Sequence, residues 1–188
     1  MTSSRSTDGN SPATDDGGQT ATLRILSSLK DVTASNWDQV ANPGWQLSGR
    51  GLLKKDPKCE ALAELSGALG GSSEFAGEDI DFNPFVSHAF LEALEASGCA
   101  TEATGWLPRH MVLEDSGGEV LGAVPAYLKS HSQGEYVFDH GWADAFYRAG
   151  GDYYPKLQIS VPFTPATGRR FLTGAGVNRE AGLQALAA

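Results

Sequence analysis

Basic residues are the scarcer charge in this chain, and cysteine is scarcer still. Lys and Arg total 14 against 23 Asp and Glu, a formal net charge of -9. Nucleic-acid phosphates are neutralised by clustered Lys and Arg. The closest grouping here, Lys54, Lys55 and Lys58, is interrupted by Asp56 and Glu60, so DNA is not an expected partner. Cys59 and Cys99 are the two cysteines; they show neither metal nor redox spacing, support no disulfide argument and suit a reduced compartment. No apolar run approaches the ~20 residues of a membrane-spanning helix. The opening MTSSRSTDGN lacks the apolar region of a secretory signal, so the sequence predicts a cytoplasmic protein.

What is present is the composition of a globular chain: 188 residues, of which 40% are apolar, 20% charged and 9% aromatic, enough for one principal domain. Met1 to Ala21 is Ser, Thr, Asp and Gly with almost nothing to bury, and a disordered tail is predicted. Residues 22–188 form the domain. A strand over Thr22 to Ser28 leads to a helix through Ala41, with Ser35 and Asp38 spaced as a capping box and Asn42-Pro43 ending it. Between residues 43 and 81 one helix is expected, with Pro57 at its first position after Asp56 and Gly70-Gly71 as its stop. Ser87 caps a further helix from His88 to Ser97 that buries Phe90, Leu91 and Leu94, with Gly98 as its stop.

Asp115-Ser116-Gly117-Gly118 separates two strand patterns, His110 to Glu114 and Glu119 to Leu128, and so marks a β-hairpin. The second strand is apolar on both faces and reads as central. Pro125 cannot donate to a ladder, which predicts a bulge or a local splay there. A short strand over Glu135 to Phe138, a helix from Trp142 to Ala149, a strand from Lys156 to Val161 and a last strand near Arg170 to Leu172 complete the pattern. Asn178 then caps a helix over 177–188 with Leu183 and Leu186 on its apolar stripe.

Function is sought between Leu121 and Gly151, where titratable residues are densest. Alternation along a strand places Glu135 and Asp139 on one face, and paired carboxylates push one pKa upward and leave a general base near neutrality. Glu135 and Asp139 are therefore the candidate bases, with His131 next. The bland alternative pairs Glu135 with Lys129 and uses Asp139 to cap the Trp142 helix. Lys129 is placed to orient substrate, and Tyr136, His140, Trp142 and Asp144 to line its pocket with Tyr153 and Tyr154 as further aromatic wall, although Trp142 better fits a core position. His131, Asp139, His140 and Asp144 match no strong metal motif, Arg148 is an alternative partner for Asp144, and no metal is expected. Lys156 reads as solvated strand-end charge. Gly174 and Gly176, ahead of a capped helix, suit a pyrophosphate. Arg170 lies one residue too far from Gly174 for the Arg/Gln-x-x-Gly-x-Gly/Ala signature of acetyl-CoA-dependent N-acetyltransferases.

NPFVSHAFLEALEASG, GWLPRHMVLED, YLKSHSQGEYVFDHGWADAF and YYPKLQISVPFTP resemble the FemAB-like predicted N-acyltransferases, a bacterial family linked to peptidoglycan biosynthesis or recognition. The resemblance implies an α/β (α+β) fold of the GNAT-like kind, a mixed and mainly antiparallel sheet flanked by helices. It implies further that the chain is an incomplete first half of a two-lobed protein, with residues 43–81 an insertion and a C-terminal half packing against this lobe. The implied activity is acyl or aminoacyl transfer to an amine, with a backbone donor near Pro125 for the oxyanion. No cofactor is tightly bound. Acyl-CoA or aminoacyl-tRNA would serve as co-substrate, tRNA thus entering only as a donor, and a small molecule or cell-wall precursor as acceptor. A non-catalytic peptidoglycan- or peptide-binding module, or an inactive fragment, is the alternative.

Overall fold

A computed structural model describes residues 12–14, 20–47, 53–55 and 81–174, together with positions 184 and 186. In chain order the elements are β1 (Pro12–Thr14), β2 (Thr20–Leu26), α1 (Ala34–Ala41), β3 (Trp45–Leu47), β4 (Leu53–Lys55), α2 (His88–Ala96), β5 (Trp106–Pro108), β6 (His110–Glu114), β7 (Val120–Val124), β8 (Ala126–Lys129), α3 (His140–Arg148), β9 (Lys156–Ile159) and β10 (Leu172–Thr173). One sheet has the order β1-β2-β6-β7-β10, a second the order β5-β8-β9, and β3 pairs with β4. The architecture is mixed α+β, and every described strand pair is antiparallel.

A single long hairpin joins the two larger sheets. Its turn is fixed by Asp115, whose Oδ1 accepts from the amides of Gly117 (2.8 Å) and Glu119 (2.9 Å), an Asx-type closure that needs no tertiary support. One register runs through both sheets, from Met111↔Val124 to Pro108↔Tyr127. No residue is therefore inserted at Pro125, and the register shift falls instead between Leu113 and Glu114. What Pro125 causes is a splay. The next amide, on Ala126, donates to His110 Nδ1 at 3.2 Å, while the Arg109 amide donates to the Ala126 carbonyl at 2.9 Å. Beyond this point the outer neighbour of the long strand changes from β10 to β9.

Helix α1 begins two residues earlier than the capping-box spacing predicts. Thr33 is the cap, accepting from the Asn36 amide at 3.2 Å, and Ser35 lies inside the first turn. Asp38 is thereby free to accept from the His88 amide at 2.8 Å, which ties α1 to the start of α2. Ser87 caps α2 as predicted, accepting from the Phe90 amide at 3.3 Å. Leu91 is fully buried and Phe90 and Leu94 partly so. Leu26, Trp37, Val40, Leu91, Val112, Ala123 and Leu172 form the main core between α1, α2 and the five-stranded sheet. Each large apolar side chain sealed there contributes roughly 1.5–3 kcal/mol, and Trp37 adds a hydrogen bond from its indole to the Val86 carbonyl (2.9 Å).

Two local expectations are corrected. Residues 135–138 are not a strand: Tyr136, Val137 and Phe138 are 65%, 83% and 63% exposed and belong to the loop between β8 and α3. Trp142 is not core but 74% exposed, and α3 buries only Ala143. At the amino end, β2 begins at Thr20 and pairs with β1; the remainder of the tail expected over 1–21 lies outside the described residues. So do the helix expected after Asp56, Cys59, Gly176 and most of 177–188. Leu186 is described and buried beside Ala21, Leu113, Val124 and Ala126.

Candidate active site

Trp106, Lys129 and Lys156 stand in one row across β5, β8 and β9, because Lys129 is the register partner of both. Two ammonium groups directly opposed on neighbouring strands repel each other. The loop after β8 answers with two carboxylates. Lys156 Nζ donates to Glu135 Oε2 at 3.0 Å and to Asp139 Oδ2 in a still shorter contact. Asp139 Oδ1 accepts from the Tyr154 hydroxyl at 2.6 Å. On the other side of the row, Lys129 Nζ lies 3.6 Å above the Trp106 ring and donates to the Gln133 carbonyl at 2.8 Å. That carbonyl also accepts from the Trp106 indole at 3.2 Å.

The environment sorts these groups by proton affinity. Lys129 is wholly buried, and burial draws its ammonium down to about 8 despite the pull of Glu135. Burial alone would raise Asp139, but hydrogen bonds from Lys156, Tyr154 and Tyr153 outweigh it and hold the carboxyl at about 2. Burial opposes the charge on Lys156, yet its bonds to Asp139 and Glu135 raise it above the ordinary lysine value. Burial and the bond to Asp139 push Tyr154 up to about 12. Glu135 differs from Asp139 in one respect. Its Oε1 is buried and accepts no hydrogen bond among the described residues, with Lys129 Nζ at 4.0 Å.

Of the residues the sequence singles out, Lys129, Glu135 and Asp139 converge. Their convergence owes nothing to strand alternation; Lys156 gathers the two carboxylates from a loop. Asp139 does occupy the cap position of α3, without a capping hydrogen bond, because its carboxylate is engaged by Lys156 and Tyr154. His131 is half-buried: its Nδ1 accepts from the Gln133 amide at 3.2 Å, and its ring lies against Gly105, where a Cβ would meet Nε2 at 2.4 Å. It therefore shapes the loop and leaves the carboxylates alone. Tyr136, His140, Trp142 and Asp144 are exposed; His140 stacks on Phe138 with centroids 5.6 Å apart, and the Asp144 carbonyl accepts from Arg148 Nε. The Ala126 amide, being bonded to His110, is not open to an oxyanion. Gly174 donates its amide to the Leu121 carbonyl at 3.4 Å, which takes it from any phosphate.

Trp106 is the member that sequence reasoning missed; Tyr154, expected only as a pocket wall, bonds Asp139 instead. Lys156, read from sequence as solvated strand-end charge, gains its role by facing Lys129 on the neighbouring strand. A second buried pair was silent. His110 is fully buried, accepts from the Ala126 amide at Nδ1 and so presents Nε2–H to Glu95 Oε1 at 2.9 Å. Burial would raise Glu95, but bonds from His110, Ser28 and the Leu29 amide hold it below the usual carboxylate value. The pair lies inside the core beside Trp37 and Tyr127 and locks α2 to the splayed strand.

Among the described residues no group of three or more His, Cys, Asp or Glu is arranged to hold a metal ion, and no helix is long and apolar enough to cross a membrane. Compared with known protein families, residues 69–188, more than half of the chain, match the FemAB-like family, described as peptidoglycan biosynthesis/recognition. Neither a curated protein nor a solved structure matches.

Proposed function

The chain belongs to the FemAB-like family, and from that premise we propose that it is an N-acyltransferase lobe with Glu135 as the general base. The family description makes the setting peptidoglycan-related. The reaction class, the GNAT-like reading of the fold, the cytoplasmic setting and a cell-wall precursor as acceptor are parts of the proposal. The observation that carries it is the unmet Oε1 of Glu135 beside a lysine of lowered proton affinity. An acceptor amine attacks the carbonyl of a thioester or ester. Glu135 takes the proton that the nitrogen loses, the C–N bond forms as the C–S or C–O bond breaks, and the proton passes to the departing thiolate or alkoxide. Asp139 is unsuited to this role because a carboxyl held at about 2 stays ionised and bound to Lys156. It acts as the anchor that positions Lys156, and through Lys156 the other carboxylate.

The test is acyl transfer by the full chain to an amine-bearing cell-wall precursor, with acyl-CoA and with aminoacyl-tRNA as alternative donors. Loss of a general base lowers the rate by about 10²–10⁴-fold, so Glu135→Gln is expected to fall by that factor when assayed below its melting transition, which the lost bond to Lys156 lowers. Consumption of neither donor, or an unchanged rate in Glu135→Gln, sinks the assignment. A second reading, a binding module, is favoured by the exposed rings of Phe138, Trp142 and Phe146, which suit stacking on a sugar face. It predicts saturable binding of muropeptides without turnover, weakened by Trp142→Ala.

A further inference from the structure

A cavity of about 660 Å³ opens between α1, β3 and the start of β7, within the range that small-molecule sites occupy. It lies at the far end of the hairpin from Lys129. The combined length of β7 and β8 at ~3.3 Å per residue separates the two by about 30 Å, so it is not part of the reaction centre.

Its walls have a definite chemistry. Trp45 and Phe82 line it with ring centroids 6.1 Å apart and planes tilted by 59°. Asp38 and Glu119 line it too. Asp38 gives one oxygen to the His88 amide, and burial pushes its carboxyl above the ordinary value, outweighing the opposing bond and charge of His88, so its negative charge is only partly compensated. An entering anion would add to that unfavourable charge and an entering cation would relieve it. The rim residue Gly174 is the position expected from sequence to meet a pyrophosphate, and its amide is already spent on Leu121. Aromatic faces flanked by carboxylates attract organic cations, by cation–π contact and by burial of the alkyl part.

We propose that this cavity binds a small organic cation of the alkylammonium type, its charge met by Asp38 and Glu119 and its apolar stem lying against Trp45 and Phe82. The proposal is independent of the acyl-transfer reading, since none of its residues belongs to the lysine–carboxylate row. The test is a titration of the ¹⁵N-labelled full chain at neutral pH with n-pentylammonium, n-pentanol, valerate and coenzyme A, read at the Trp45 indole and the Gly174 amide. Saturable shifts are expected with n-pentylammonium alone. Glu119→Gln should weaken that binding about two- to fivefold, as for an exposed charge contact. Asp38→Asn, which keeps an oxygen for the His88 amide, should weaken it about tenfold or more. No saturation by n-pentylammonium below about 50 mM, saturable binding of valerate or coenzyme A at the same resonances, or unchanged affinity in Glu119→Gln would each overturn the proposal. If Asp38→Asn does not fold, Glu119→Gln decides alone. A Glu135→Gln chain that has lost transfer must titrate as the wild type does.

Discussion

Replacing Lys129 by Met tests whether the buried ammonium is a burden on the fold. Met has a similar length and no charge, so it fills the same space above Trp106. Drawing an amine from 10.5 down to about 8 corresponds to roughly 3 kcal/mol against its charged form. The Trp106 face, 3.6 Å from Nζ, returns up to ~2 kcal/mol of this as a desolvated cation–π contact. The net penalty is therefore about 1–3 kcal/mol. An unfolded chain keeps this proton up to the ordinary value of 10.5, whereas the folded chain releases it near 8. Between those values the unfolded state binds more protons, so stability rises with pH across that window, and below it the penalty is present in full. Removing Lys129 also takes a cation from Glu135, which moves the absolute stability of the variant by an amount set by that pair. The difference in slope survives this offset. Urea melts of both proteins at about pH 7 and about pH 10 should show the wild type gaining about 1–3 kcal/mol on Lys129→Met. Parallel stability curves across that range would refute the burial argument, and with it the lowered proton affinity of Lys129 beside Glu135.

Asp139→Asn addresses the opposite case. Its carboxyl, 11% exposed, is held at about 2 against an ordinary 3.8, a contribution of roughly 2 kcal/mol that is present above 3.8 and lost as pH falls toward 2. The variant should be about 1–2 kcal/mol less stable at neutral pH in urea melts, with the gap closing in acid; a gap that persists at about pH 2 contradicts the ion-pair account. Gly134→Ala is expected to cost about 2–3 kcal/mol, because Gly134 has φ +82 and its Cβ would lie 2.5 Å from Phe163 Cε1. Gly150→Ala, with φ +85 but nothing within 4 Å, should cost only about 1 kcal/mol, and equal losses in the two would show that crowding is unimportant. Trp142→Ala should leave thermal stability within about 0.5 kcal/mol, and a larger loss would restore a core role to this ring.

The parts of the fold that could be read from sequence are those whose cause is local. The Asp115 turn, the Ser87 cap and the two-faced apolar strand carry their instructions within a few residues, and each is found where expected. Errors arise where a local pattern has two outcomes and a distant contact chooses. Ser35 and Thr33 are both competent caps, and the one left over frees Asp38 for His88. The Tyr-Val-Phe run at 136–138 has strand propensity, yet the ends of its loop are clamped by Lys129 to Gln133 and by Lys156 to Asp139, which forces those side chains outward. Periodicity marks Trp142 and Phe146 as one stripe of a helix and says nothing about which stripe is buried.

The two candidate carboxylates converge through a distant contact and divide between two roles. Their spacing suggested a strand; their convergence comes from Lys156, which meets Lys129 only after β9 has paired with β8. Once both amines are in one row, two carboxylates are needed for neutrality, and geometry makes them unequal. Asp139 spends both oxygens, on Tyr154 and on Lys156, and a carboxylate so engaged at about 2 accepts no proton at neutral pH. Glu135 spends one oxygen on Lys156 and leaves the other buried and unmet. An unmet buried acceptor costs about 1–3 kcal/mol, so a purely structural ion pair would be better served by satisfying it. The incoming N–H of an acceptor amine supplies the missing donor, and this is the physical ground for assigning the base to Glu135 over Asp139.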